Sequence, residues 1–180
     1  MKIVASTLRR RSAFSLPELM VSVGISTLVM GVIMYGILFC SRSFVAMGNY
    51  MDLNKSSFVA LDKMTRDIRG ASSLQYFATN RLVFLDGSSN QLTFAWSPST
   101  GKLTRSSGTA NETLLKECDY LSFDISQRTP TTNGTFGFYP ATNNPALCKL
   151  VSVSWRCSRT ILGHKVNTES VQTAKIVMRN

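Results

Sequence analysis

The stretch FSLPELMVSVGISTLVMGVIMYGILFCSRS, residues 14–43, sets the architecture of the chain. Between Phe14 and Ser41 the only charged residue is Glu18, and Leu19 to Cys40 is a run of 22 residues without Asp, Glu, Lys or Arg. As a helix that run is about 33 Å long, at ~1.5 Å per residue, and the hydrocarbon core of a bilayer is about 30 Å thick. A secretory signal has a shorter apolar core, about 7–15 residues, ending at a small-x-small cleavage site. Phe39-Cys40-Ser41-Arg42-Ser43 offers no such site, so the helix is expected to stay attached to the rest of the chain.

On the N-terminal side, Lys2, Arg9, Arg10 and Arg11 lie in the first thirteen residues with no acid among them. Basic residues before an apolar span hold that end in the cytoplasm, which places everything after Arg42 on the far side. The formal charge of +10 reads differently once this leader is set apart: 16 basic and 10 acidic residues remain, and they are scattered. Much of the positive charge thus has a membrane-orienting explanation, and a nucleic-acid partner is not required. A chain of 180 residues suits an anchor plus one small domain rather than two independent domains.

Glu18 is the unexpected residue. A carboxylate at the head of an apolar segment is disfavoured, by about 2.5–3.5 kcal/mol at mid-bilayer and less near the interface, so it needs a reason. One local reason is a capping box, with Ser15 as N-cap, Pro17 in the first turn and Glu18 at the third helical position. Ser22, Gly24, Ser26, Thr27, Gly31 and Gly36 add small surfaces on which another helix can approach closely, although membrane helices also tolerate such residues without a partner.

Taken together, Arg9-Arg10-Arg11-Ser12-Ala13-Phe14-Ser15-Leu16-Pro17-Glu18-Leu19 resembles the processing and methylation signature of type IV prepilins. The resemblance implies cleavage by prepilin peptidase between Ala13 and Phe14, and N-methylation of Phe14. It also implies that Glu18 pairs with the N-terminal amine of an adjacent subunit during assembly. Ala13 stands where the family usually has Gly. Further along, residues 61–71 (LDKMTRDIRGA), Leu92-Thr93-Phe94, Leu103-Thr104-Arg105 and the closing residues 174–180 resemble J-type minor pseudopilins of type II secretion and PilW-type minor pilins, less specifically than the N-terminal junction does.

The amphipathic pattern continues past the apolar run, with Phe44, Met51 and Phe58 at one heptad position and Met47, Leu61 and Ile68 at another. This predicts one helix from about Phe14 to Gly70, whose second half lays its apolar stripe on a globular domain. Asp62 with Arg66, and Lys63 with Asp67, are i,i+4 charge pairs expected on its solvated face. Strands are expected over Leu74–Phe77, Arg81–Leu85, Gln91–Trp96, Lys102–Arg105, Tyr120–Ser126, Thr135–Tyr139, Lys149–Cys157 and Val171–Met178. Asp86-Gly87, Thr100-Gly101 and Asn133-Gly134 are the turn signals between them. Val151, Val153 and Trp155 alternate with Leu150, Ser152 and Ser154, as in a half-buried strand covering the helix stripe.

The expected fold is therefore α+β, a long N-terminal helix packed on an antiparallel β-sheet in the manner of a pilin. Residues 1–13 form the basic leader, 14–41 the membrane-spanning half of the helix, 42–71 its amphipathic half and 72–180 an exported β-rich domain. Cys40, Cys118, Cys148 and Cys157 match no zinc or C-x-x-C spacing. An oxidising compartment would allow one disulfide; Cys148 and Cys157 are the nearest pair, Cys118 with either remains open, and buried free thiols are the plain alternative. No catalytic motif is present: His164 is the one histidine, and Asp119 and Asp124 do not form a calcium-loop pattern.

The expectation is a filament subunit that is not an enzyme and uses no metal or cofactor. Its partners would be other pilin or pseudopilin subunits, prepilin peptidase and the membrane. It would sit in the inner (cytoplasmic) membrane with a periplasmic or extracellular C-terminal domain before joining a filament. The alternative is a membrane-anchored exported module that binds DNA or a secreted substrate.

Overall fold

A computed structural model describes residues 15–127, 139–160 and 169–179. One helix, α1 (Leu16–Gly70), precedes eight strands: β1 (Ala71–Ala78), β2 (Arg81–Asp86), β3 (Gln91–Ser97), β4 (Lys102–Ser107), β5 (Ala110–Leu115), β6 (Cys118–Gln127), β7 (Cys148–Ser158) and β8 (Glu169–Val177). The chain divides into two units, Met1–Ser43 and Phe44–Asn180.

In the first unit, the large apolar side chains from Leu16 to Phe39 are all exposed. This part of α1 is the one candidate membrane span among the described residues. Its hydroxyls are satisfied within the helix: Ser22 Oγ donates to the Leu19 carbonyl at 2.9 Å and Ser26 Oγ to that of Ser22 at 2.7 Å. Thr27 Oγ1 reaches the Gly24 carbonyl at 2.8 Å. Apart from Glu18 at its head, the segment presents mainly hydrocarbon, and these internally paired hydroxyls lose little by leaving water.

The second unit is an α+β domain in which the C-terminal half of α1 packs on two antiparallel meanders. One sheet has the order β1-β2-β3-β4-β5 and the other β6-β7-β8, so the expected single sheet is in fact two. Leu53, Ala60, Met64 and Ile68 of α1 join one core with Leu82, Phe84, Phe94 and Leu103 of the first sheet, and with Leu121, Phe123, Val151, Val153 and Trp155 of the second. The rings of Phe84 and Phe94 meet edge to face at 6.2 Å. As the alternation in β7 requires, Val151, Val153 and Trp155 are buried, and Trp155 Nε1 donates to Ser57 Oγ at 3.3 Å.

The buried face of the helix differs from the expected stripe. Leu53, Ser57, Ala60, Met64 and Ile68 are buried, whereas Phe44, Met47, Met51 and Phe58 are exposed. Small residues at 57 and 60 let the backbone lie close to the sheets, and Phe58, one position on from Ser57, is turned about 100° away.

The expected solvated charge cluster also splits. Asp62 and Arg66 pair at 2.6 Å in the open. Lys63 instead pairs with Glu112 of β5, and Asp67 accepts from Arg105 Nε of β4 at 2.5 Å with both side chains only 18% exposed. Two charges read as surface are thus cross-links from helix to sheet. Of the expected strands, Thr135–Tyr139 falls almost wholly outside the described residues, as does the Asn133-Gly134 turn, while β5 is a strand the sequence did not announce.

Candidate functional site

Among the described residues, polar or reactive groups gather in three places: the head of α1, the cysteines of the second sheet and a basic cavity beside the last turn of the helix.

At the head, the Ser15 carbonyl accepts the first helical hydrogen bond, from Leu19 N–H at 3.1 Å, so Ser15 is the N-cap. Glu18 occupies the third helical position in the first turn, where the positive end of the helix dipole favours a carboxylate. It is exposed, and Ser15 Oγ approaches its Oε2 at 3.5 Å, a marginal hydrogen bond. Among the described residues Glu18 takes part in no ion pair. The acid is therefore favoured by the helix end but left without a cation of this chain in that set. Ala13 and Phe14, the expected cleavage pair, lie outside the described residues.

The expected Cys148–Cys157 disulfide is corrected by the sheet. Both residues belong to β7, one at its start and one near its end. Nine steps along a strand at ~3.3 Å each separate them by about 30 Å, whereas bridged Cα atoms lie about 4.4–6.8 Å apart. Cys157 instead stands opposite Cys118 of β6. Both are buried, Cys118 Sγ donates to the Tyr120 carbonyl at 3.1 Å, and the neighbouring Cys157 thiol holds the Cys118 thiol below its ordinary range while Cys118 pushes that of Cys157 up. Cys148 is half-buried and desolvation pushes its thiol up to about 11. Cys40 is exposed on the apolar half of α1.

The same end of β6 and β7 is tied down by groups that sequence reading missed. Arg159 donates to Glu117 at 2.5 Å and to Asp52 of α1 at 2.7 Å. Ser158 Oγ donates to Asp119 Oδ2 at 2.5 Å. These partners lie 39 to 107 positions apart in sequence, beyond the reach of any local motif.

The cavity, of about 380 Å³, is open and lined by Asp62, Thr65, Arg66, Arg69, Gly70 and Arg179. Arg66 is engaged by Asp62, and Arg69 sits in the last helical turn, where the dipole favours a cation. Among the described residues no group of three or more His, Cys, Asp or Glu is arranged to hold a metal ion. His164 lies outside the described residues; Trp155 belongs to the core, as the β7 alternation implies, and Trp96 packs against it. The chain matches no protein-family model, no curated protein and no solved structure.

Proposed function

We propose that the protein is a structural subunit of a type IV pilus-like or type II secretion pseudopilus filament, a minor pilin or pseudopilin. Prepilin peptidase trims it between Ala13 and Phe14 and methylates Phe14. The basic leader keeps the N-terminus cytoplasmic in the inner membrane, and the β-rich domain lies in the periplasm or outside the cell.

The observation that carries this reading is Glu18: a lone acid in the first turn of an otherwise apolar, fully exposed helix half, with no ion pair among the described residues. A tether needs neither a carboxylate there nor a cuttable basic leader. A subunit entering a helical bundle needs both, because a new N-terminal amine on a neighbour offsets the desolvation of the acid.

The experiment is incorporation of Glu18 variants into filaments in the native host, with membrane insertion measured in parallel. Glu18→Ala is expected to insert normally and to lose assembly, with Glu18→Asp retaining part of it. Normal assembly of Glu18→Ala would contradict the proposed pairing.

A second reading, an exported anion-binding module, draws on the cavity with Arg66, Arg69 and Arg179. It requires that Arg69→Ala with Arg179→Ala abolish binding of short single-stranded DNA by the full chain in detergent. Unchanged binding removes it.

A further inference from the structure

The geometry points to a disulfide between Cys118 and Cys157, formed after export, that clamps the corner where the two sheets meet. Cys118 and Cys157 are cross-strand partners in the β6–β7 pair. Ser158 N–H donates to the Glu117 carbonyl at 3.1 Å, and these residues flank the pair on one side. The Cys118 N–H, for its part, donates to Gly101 rather than to Cys157. That pattern marks a non-hydrogen-bonded pair, the type in which facing Cα atoms come closest, about 4.5 Å, inside the range a disulfide spans. Both side chains are buried in the same core, each 1% exposed.

The position gives the bond its purpose. Cys118 is held from the first sheet through two bonds, its N–H to the Gly101 carbonyl at 2.8 Å and its carbonyl from Trp96 Nε1 at 3.3 Å. Gly101 has φ +62, a conformation that favours glycine, and a Cβ there would meet the backbone of Cys118 at 3.4 Å, an ordinary contact. Cys157 belongs to the second sheet, between Trp155, which reaches Ser57 of the helix, and Ser158, bound to Asp119. A covalent link here fixes the first sheet's turn, two of the three strands of the second sheet and the helix side in one corner. It closes a loop of about 40 residues.

Formation is a two-step exchange with a protein or small-molecule disulfide in the oxidising compartment. One thiolate attacks a sulfur of that disulfide and expels its other sulfur as a thiol; the second cysteine then attacks the sulfur of the first and displaces the remaining carrier sulfur from the mixed disulfide. Two electrons pass to the carrier, which leaves as a dithiol with the two protons. Because both thiols are buried in the folded domain, the exchange takes place while β6 and β7 are still pairing, and the finished bond is shielded from reductants. Cys148 and Cys40 stay as thiols.

The inference rests on the export reading for its oxidant, and the test separates the two. Trypsin places Cys118, Cys148 and Cys157 in different peptides, residues 117–128, 129–149 and 157–159. The full chain is refolded in detergent with oxidised and reduced glutathione, and in parallel is isolated from native membranes after acid quenching. Both samples are alkylated while denatured and digested without reduction.

A 117–128 to 157–159 link in both samples supports the inference. Cys148→Ser leaves that link in place, while Cys118→Ser and Cys157→Ser abolish it. Reduction shifts the unfolding equilibrium toward the unfolded state by on the order of a few hundred-fold for a loop of this size. Free thiols in both samples, or a link to Cys148 or Cys40, overturns the pairing and leaves the export reading standing. A link in the refolded chain with free thiols in the membrane sample overturns oxidation after export, and with it the assigned topology.

Discussion

The two halves of α1 obey opposite rules. From Leu16 to Phe39 every large apolar side chain is exposed, whereas from Leu53 to Ile68 the buried positions include a serine and an alanine and leave Phe58 outside. In the first half hydrophobicity is uniform around the helix, so the environment it wants is hydrocarbon or other helices. In the second half what matters is shape: the sheets lie against the small residues, and polar cross-links fix the register. The same secondary structure is thus a candidate membrane span at one end and a core element at the other.

If the halves differ in this way, truncating large side chains in them must have unequal effects. Trp155→Ala removes the largest side chain packed on the helix and the hydrogen bond to Ser57, and is expected to destabilise the domain by about 3–5 kcal/mol in denaturant titrations of the full chain in detergent. Leu28→Ala, 73% exposed in the first half, should leave that transition unchanged; an equal loss would erase the contrast. Asp67→Asn unpairs the half-buried Arg105 and is expected to cost about 2 kcal/mol in the same titration. Arg66→Ala removes only the exposed pair with Asp62, and its effect should stay within about 0.5 kcal/mol.

The domain side of the contrast also has a pH signature. Burial raises the Cys148 thiol from 9.0 to about 11, so the folded chain holds a proton that the unfolded chain has lost between those values. That contribution to stability is complete below pH 9 and fades as pH rises toward 11. Alkylation of Cys148 in the folded chain should accordingly reach half its maximal rate near pH 11, and near 9 after denaturation.

The apolar run, the capped helix start and most strands were legible because each is a local pattern: a composition, a residue triplet, a period of two. The strand over residues 110–115 was not, since Ala110-Asn111-Glu112-Thr113 carries no apolar alternation and is held by pairing with β4 and by Lys63. The buried helix face shares Ile68 and, in part, Leu61 with the expected stripe, but a heptad of large residues does not reveal Ser57 and Ala60, whose value is their size. The cysteine arrangement was left open among Cys118, Cys148 and Cys157 for the opposite reason. Nearness in sequence put Cys148 with Cys157, and only strand register shows that one strand carries them far apart while setting Cys118 across from Cys157. At the head of α1, Glu18 stood out from chemistry alone, as an acid where an acid is disfavoured, while its proposed assembly role came from the resemblance.

In the proposed subunit the apolar half of α1 begins at a processed N-terminus and remains part of the mature protein. Mass spectrometry of the intact protein from native membranes and filaments decides whether it does. The expected chain begins at Phe14, is methylated on its amine and still carries residues 14–43. A chain retaining Met1 and the basic leader, or one cut after Cys40, would contradict the proposal.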